Sequence, residues 1–233
     1  VLTHLLTRIC NEYGQAITEP YGNHPLANYI RREAPNLIRD KMPSIYEDHK
    51  VEGSAGRGRW AEAPWMAIFN PDITEKASMG YFVGYGFPPN SNTVILGLTQ
   101  SREEANAQYG KESNQALTKQ AELMRIKIPE YSDYFDSGVV DFGSLGPRFG
   151  YAYYKVYNSA NLPSELTLVK DLSYILEAYE KLFYRGGRDG QLEEDVEGII
   201  SIEEKYRRRV HYSIERPNSS KIQKMKRKLG FVC

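Results

Sequence analysis

The stretch VEGSAGRGRWAEAPWMAIF, at 51–69, brings together side chains that bind anions and side chains that stack. Arg57 and Arg59 alternate with Gly56 and Gly58. A guanidinium is a planar cation that contacts phosphate or stacks on a ring, and glycine lets the backbone approach a ligand closely. The pattern therefore predicts an exposed cationic loop.

Two tryptophans, Trp60 and Trp65, follow this loop directly. Each ring could form one wall of a pocket for a planar ligand. Each could equally be an ordinary core aromatic, because buried tryptophan is common. Gly56 and Gly58 could serve a tight turn alone. The residues by themselves leave both alternatives open.

Signatures of catalysis are missing from residues 1–204. The sequence contains no GxxxxGK[ST] and no HExxH, and neither cysteine belongs to a CxxC pair. The four histidines are scattered, without a second ligand at metal spacing. We therefore expect no catalytic residue, no metal site and no cofactor in this part of the chain.

The elements that position the loop are predicted from hydrophobic periodicity. Helical spacing is found at Leu2 to Ile9, at Leu26 to Ile38 with Pro35 as an interruption, and over 102–128. In the last of these, one face holds Tyr109, Leu117, Ala121, Met124 and Ile128. Short apolar runs at 65–69, 80–87, 93–99 and 151–157 indicate strands, the second and third joined by a PPNSN turn. A long helix at 164–183 follows Ser164 as its N-cap. This order predicts an α+β domain with a mixed or antiparallel curved sheet flanked by helices.

The formal charge of zero hides a division of the chain. Residues 205–233 hold ten Lys and Arg against one Glu, a net charge of +9, so residues 1–204 carry −9. We therefore divide the chain into a domain at 1–184, an acidic linker at 185–204 and a basic helical extension at 205–233. Cys10 and Cys233 form no disulfide framework, which suits a reducing cytoplasm, and no apolar run approaches the roughly 20 residues that span a bilayer.

Several motifs resemble the McrB N-terminal domain family of modification-dependent restriction systems. They are the Gly-x-Gly-x-aromatic turn at 56–60, Pro64-Trp65 before a strand, and Gly80-Tyr81-Phe82 inside ITEKASMGYFVGYGF. VILGLTQS, then FGYAYYKVY and the helix at 164–183, follow in the family's order. The resemblance covers about 20–184. It implies a reader of double-stranded DNA that recognises modified cytosine, most simply 5-methylcytosine, by flipping the base into a pocket.

The resemblance also implies site residues. Trp65, Phe82 and Phe149 would be the walls of the base pocket, and Arg57 the side chain inserted into the emptied stack. Arg59 and Trp60 are second choices, near the DNA backbone or supporting the loop. Phe149 stands where the family often has tyrosine, so it keeps a stacking face and lacks a hydroxyl.

The strand at 80–87 adds a feature of this sequence. By alternation, Tyr81, Val83, Tyr85 and Phe87 share one face, while Phe82, Gly84 and Gly86 share the other. Glycine inside a strand often marks a bend or the close approach of a ligand. Room at Gly84, beside Phe82, would let the pocket accept a cytosine bulkier than 5-methylcytosine. The alternative is that these glycines serve only a kink in the sheet.

The C-terminal stretch resembles the lead-in to an HNH nuclease module. The segment ERPNSSKIQK and a later glycine precede Cys233, which would be the first zinc ligand of a module that follows it. Zinc and a divalent metal are then expected in that module, because a structural zinc site uses four ligands. The basic arm would contact the DNA backbone through five side chains: Arg207, Arg208, Arg209, Lys224 and Arg227.

Three function classes remain open on the sequence. The first is a DNA-binding specificity domain of a modification-dependent endonuclease, with a homo-oligomer allowed and no membrane partner. The others are a protein-interaction module and a small-molecule-binding domain. The charge of −9 on residues 1–204 opposes DNA binding unless cations such as Arg57, Arg59 and Lys76 share one face.

Overall fold

The computed structural model describes residues 1–89 and 91–188. Its helical part begins with α1 (Leu2–Ala16), α2 (Pro25–Asn28), a π-helix (Tyr29–Glu33) and α3 (Ala34–Arg39), and continues with α4 (Arg102–Tyr109), α5 (Ser113–Lys127) and α6 (Glu165–Tyr184). The strands are β1 (Lys50–Ser54), β2 (Trp65–Phe69), β3 (Tyr81–Gly86), β4 (Thr93–Gln100), β5 (Asp136–Asp141) and β6 (Pro147–Asn158).

The six strands form one antiparallel sheet in the order β1-β2-β3-β4-β6-β5. The sheet is curved and does not close into a barrel. The α+β prediction is therefore confirmed, and of its two alternatives, mixed or antiparallel, the sheet is antiparallel.

One face of the sheet builds the main core. Tyr81, Val83, Tyr85 and Phe87 on and after β3 are buried there, as the alternation predicts. Helix α6 covers this face with one apolar stripe, formed by Leu168, Leu172, Ile175, Tyr179 and Leu182. Ser164 caps α6, since its side chain accepts a hydrogen bond from the Thr167 amide.

The interruption predicted at Pro35 takes the form of a π-helix. Helical backbone runs from Pro25 to Arg39, and its turn widens over Tyr29–Glu33 just before the proline. Proline has no amide donor, and its ring clashes with the carbonyl group four residues earlier. A wider turn relieves that clash and lets the helix continue.

The helix predicted over 102–128 is divided into α4 and α5. The chain breaks at Gly110, whose φ of 54° lies in the left-handed region. As a result Tyr109, which we placed on the buried face with Leu117 and Met124, is exposed. That part of the prediction was wrong, while Leu117 and Met124 are fully buried.

The described chain ends by packing back on the domain. Beyond α6, the Lys127 ammonium donates to the Gly187 carbonyl, and Arg185 pairs with Glu130 at 2.9 Å. Arg188 is buried and pairs with Glu104 at 2.8 Å. The rest of the predicted linker, the basic arm with Arg207, Arg208, Arg209, Lys224 and Arg227, and Cys233 lie outside the described residues.

Candidate functional site

The second face of the sheet is unusually free of side chains at its centre. Strand register places Gly84 beside Ala67 on one side and beside Gly97 on the other. Gly86 lies on the same face, opposite Trp65. A row of glycine and alanine across three strands leaves a flat floor on which a ligand or another ring can lie.

The β5–β6 hairpin folds over part of this floor. A Cβ added at Gly86 would lie 2.8 Å from the Phe142 ring, and one at Gly97 would lie 2.6 Å from the Tyr151 ring. Phe142 and Tyr151 are themselves buried in a small second core. At Gly84, by contrast, an added Cβ would meet nothing closer than the Met66 carbonyl oxygen, at 3.0 Å. Gly84 is therefore the uncovered part of the floor.

The sheet and the hairpin enclose an open groove with a volume of about 1120 Å³. Trp65, Phe82, Gly84 and Phe149 all line it, and each is partly exposed. Among the described residues none of these three rings stacks on another, and Phe82 packs edge-on against Phe69, at 5.4 Å between centroids. The predicted wall residues thus surround a common space that their own packing does not fill.

The β1–β2 loop, residues 55–64, forms the rim of the groove. Gly56 and Gly58 have φ values of 118° and 72°, which disfavour any residue with a Cβ. Arg57 and Gly58 are exposed and line the groove. Arg59 is exposed as well but does not line it. The geometry thus favours Arg57 over Arg59 as the side chain that faces a ligand in the groove.

Trp60 lies away from the groove and holds the loop. Its ring makes edge-to-face contacts with Tyr13, Tyr21 and His24 at 4.9–5.4 Å between centroids. Its indole N–H donates to the Glu19 carbonyl at 2.8 Å. Of the two roles that the resemblance offered for Trp60, this position favours support of the loop.

Two tyrosine hydroxyls fix the base of the same loop. Tyr13 donates to the Ala61 carbonyl at 2.7 Å, and Tyr21 donates to the Gly56 carbonyl. The Ala61 amide closes the loop on the Ala55 carbonyl at 2.8 Å. Burial is the main cause that raises the pKa of the Tyr13 hydroxyl above its usual range, so this donor stays protonated. The exposed tip is therefore carried on a rigid base.

The groove carries an excess of positive charge. Five cations line it, namely Arg31, Arg57, Lys76, Arg102 and Arg148, against the carboxylates Glu52, Glu62 and Glu103. Glu52 is in addition paired with Lys50 at 2.7 Å. The expectation that cations gather on one face therefore holds for Arg57 and Lys76, while Arg59 lies outside the groove.

Sequence reasoning missed the residues that the hairpin contributes. Phe142, Tyr151 and Arg148 all line the groove, as does Arg102 at the start of α4, and none of them stood out in the sequence. Tyr151 belonged to a predicted strand, and its alternation with Tyr153 was the available signal. Phe142 had no such signal because β5 itself was not predicted.

Within 1–89 and 91–188, no helix is long and apolar enough to cross a membrane. The same part of the chain has no group of three or more His, Cys, Asp or Glu side chains that could hold a metal ion.

Among protein families, the MrcB-like, N-terminal domain matches the chain over residues 8–184. A comparison with curated proteins finds no match. The family match agrees with the motifs in the β1–β2 loop, β3 and β6, and it supports a DNA-binding domain of a restriction system directed at modified cytosine. The chain belongs to the MrcB-like N-terminal domain family.

Proposed function

We propose that residues 1–184 bind double-stranded DNA and hold a modified cytosine, flipped out of the duplex, in the groove between the sheet and the β5–β6 hairpin. The observation that carries this proposal is the uncovered floor at Gly84, surrounded by Trp65, Phe82 and Phe149. An extrahelical base is planar and apolar on both faces, and enclosure by such rings contributes about 1–3 kcal/mol per stacked base.

In this proposal Arg57 takes the place of the flipped base. Extrusion costs a few kcal/mol of unstacking, and a planar side chain inserted into the gap offsets part of that loss. Arg57 is exposed at the tip of a loop whose base is fixed by Tyr13, Tyr21 and Trp60. The tip therefore reaches the duplex without having to be ordered first, which lowers the entropic cost of binding.

The floor at Gly84 determines which modification is accepted. Phe142 and Tyr151 occupy the space over Gly86 and Gly97, so Gly84 is where a substituent on the base finds room. We therefore propose that the groove accepts 5-methylcytosine and bulkier 5-substituted cytosines. Phe149 contributes a stacking face without a hydroxyl, so a hydrogen bond to the base from this position is absent.

The wider proposal is that this domain is the specificity unit of a modification-dependent endonuclease. The basic arm at 205–233 would follow the DNA backbone, and a zinc-containing HNH module after Cys233 would cleave. These assignments rest on the sequence resemblance. They require that the chain without that module binds modified DNA and does not cut it when divalent metal is added.

The proposed function is tested with duplexes that differ only at one cytosine. We expect tighter binding to 5-methyl-C and 5-hydroxymethyl-C than to C, with affinity falling as salt rises. A 2-aminopurine beside the modified base should brighten on binding, because flipping removes its stacking neighbour. Equal affinity for all three duplexes, with no change in fluorescence, would contradict the proposal.

A further inference from the structure

Arg148 stands on β6, where the β5–β6 hairpin faces the groove. Its side chain is fixed by two contacts within the hairpin. One guanidinium nitrogen donates to the Leu145 carbonyl at 2.9 Å, and the guanidinium carbon lies 5.3 Å from the Phe142 ring centroid. Arginine has five N–H donors, so most remain available to a ligand in the groove.

The charge of Arg148 is not balanced locally. Among the described residues no carboxylate lies within 4 Å of its guanidinium, although Glu62 is near enough to favour the charged form. Partial burial, and after it the like charge of Arg102, lower the pKa of Arg148 below its usual range. A partly buried cation beside a second cation is stabilised when an anion joins them.

Arg102 reaches the same wall from the start of α4, just after β4 ends. The Gln100 side-chain amide donates to the Gly150 carbonyl at 3.2 Å, which joins the end of β4 to β6. Arg102 and Arg148 are each two residues from this bond, and both line the groove. Arg102 is exposed, and it too makes no ion pair with a described carboxylate.

We propose that Arg148, supported by Arg102, forms a phosphate subsite for the phosphodiester next to the flipped cytosine. This inference rests on the proposed function, because it needs a nucleotide in the groove. A guanidinium presents a planar fork that matches two phosphate oxygens, and the Phe142 ring holds that plane in place. Arg148 belongs to the hairpin and Arg102 to the start of α4, so the subsite is separate from Arg57, which lies on the β1–β2 loop.

The test pairs protein variants with neutral linkages in the DNA. Methylphosphonates replace, one at a time, the phosphates around a 5-methylcytosine in a fixed duplex. For the wild-type chain we expect one linkage at which neutralisation weakens binding on the order of tenfold. Arg148→Gln should lose a similar factor on native DNA and nothing further at that linkage. Arg102→Gln should show a smaller loss that is coupled to the same linkage.

Two further variants control for other causes. Arg32→Gln removes an exposed arginine outside the groove and should leave every affinity within about twofold. Arg148→Lys keeps the charge without the planar fork and should recover part of the affinity. Because Arg102 is exposed, Arg102→Gln should leave the fold intact. It therefore still reports coupling to the neutralised linkage if Arg148→Gln weakens the hairpin.

The outcomes separate this proposal from the function on which it rests. Suppose that the wild-type chain prefers modified DNA, but the affinity losses from Arg148→Gln and from a methylphosphonate are additive at every linkage. Arg148 then contacts none of these phosphates, so the subsite is wrong and the proposed function stands. If modified and plain duplexes bind equally, the proposed function fails, while coupling at a single linkage would still support the phosphate contact.

Discussion

Gly84→Ala is the change that most directly probes the floor of the groove. The added Cβ would lie 3.0 Å from the Met66 carbonyl oxygen and 3.9 Å from both the Ala67 Cα and a Phe82 ring carbon. The first contact is tight, but replacing glycine also removes about 0.4–1 kcal/mol of unfolded-state entropy. These effects oppose each other, so we expect the free energy of unfolding to change by less than about 1 kcal/mol.

The same methyl group should change the selectivity of the groove. It takes up the room that 5-hydroxymethylcytosine needs beyond 5-methylcytosine, and overpacking of this size costs roughly 1–3 kcal/mol. Affinity for 5-hydroxymethyl-C should therefore fall about 5- to 150-fold, with a smaller loss for 5-methyl-C. Gly84→Val should exclude both modifications.

Fluorescence anisotropy measures the ratio of the affinities for the 5-hydroxymethyl-C and 5-methyl-C duplexes, and thermal unfolding measures stability in parallel. Gly14→Ala is a matched control, because a Cβ at Gly14 on α1 would have no neighbour within 4 Å. Gly86→Ala is the contrasting case, since its Cβ would displace the Phe142 ring and weaken both bindings together. If Gly84→Ala leaves the ratio of the two affinities unchanged, Gly84 does not lie under the 5-substituent.

Two other predictions concern the loop and the acid stability of the domain. Arg57→Ala should keep the fold and weaken binding to the modified duplex by about 1–3 kcal/mol in a titration, whereas Arg32→Ala should leave this affinity unchanged. If Arg57→Ala binds and flips the base normally, Arg57 is not the side chain that takes the place of the flipped base. Burial raises the pKa of Glu165, but the Thr3 and Leu2 amides and the Thr3 hydroxyl, at 2.9–3.0 Å, outweigh it and lower the pKa to about 2. Above about pH 4.5 this carboxylate therefore stabilises the fold by about 1–2 kcal/mol, once solvent screening is allowed for. This stabilisation is lost as the pH falls towards 2. Glu165→Gln should flatten this part of the acid-unfolding curve, and an unchanged curve would contradict the assignment.

Central strands and long helices were predictable, whereas edge strands were not. Strand β2 was predicted with its observed bounds because it is a continuous apolar run, and α6 to within a residue because it has one buried face with a clear helical period. The edge strands β1 and β5, with sequences KVEGS and DSGVVD, have little apolar alternation. Pairing with a neighbour, rather than their own pattern, makes them strands, and single-sequence periodicity does not record pairing.

The site was predictable where residues lie close together in the sequence. Gly56, Arg57, Trp65 and Phe82 stand in or beside consecutive motifs, and all line the groove. Residue type alone could not assign different roles to the two neighbouring tryptophans. Trp60 contacts α1 and the loop that follows it, whereas Trp65 lines the groove. The hairpin depends on a fold-back over the sheet, so its contribution appears only in three dimensions.

The net charge of −9 on residues 1–204 is compatible with DNA binding because the acids on α6 are engaged on the covered side of the sheet. Asp171 is buried and accepts hydrogen bonds from Tyr134, Tyr157 and Lys155 at 2.6–3.0 Å. Other α6 carboxylates are held in the same way: Glu165 by α1 amides, Glu177 by Lys181, and Glu180 by His49 and Asn70. A polyanion that approaches the opposite side meets the groove, where cations outnumber carboxylates. Since screening limits charge interactions to about 8–10 Å at ordinary salt, the local field of the groove outweighs the total charge of the domain.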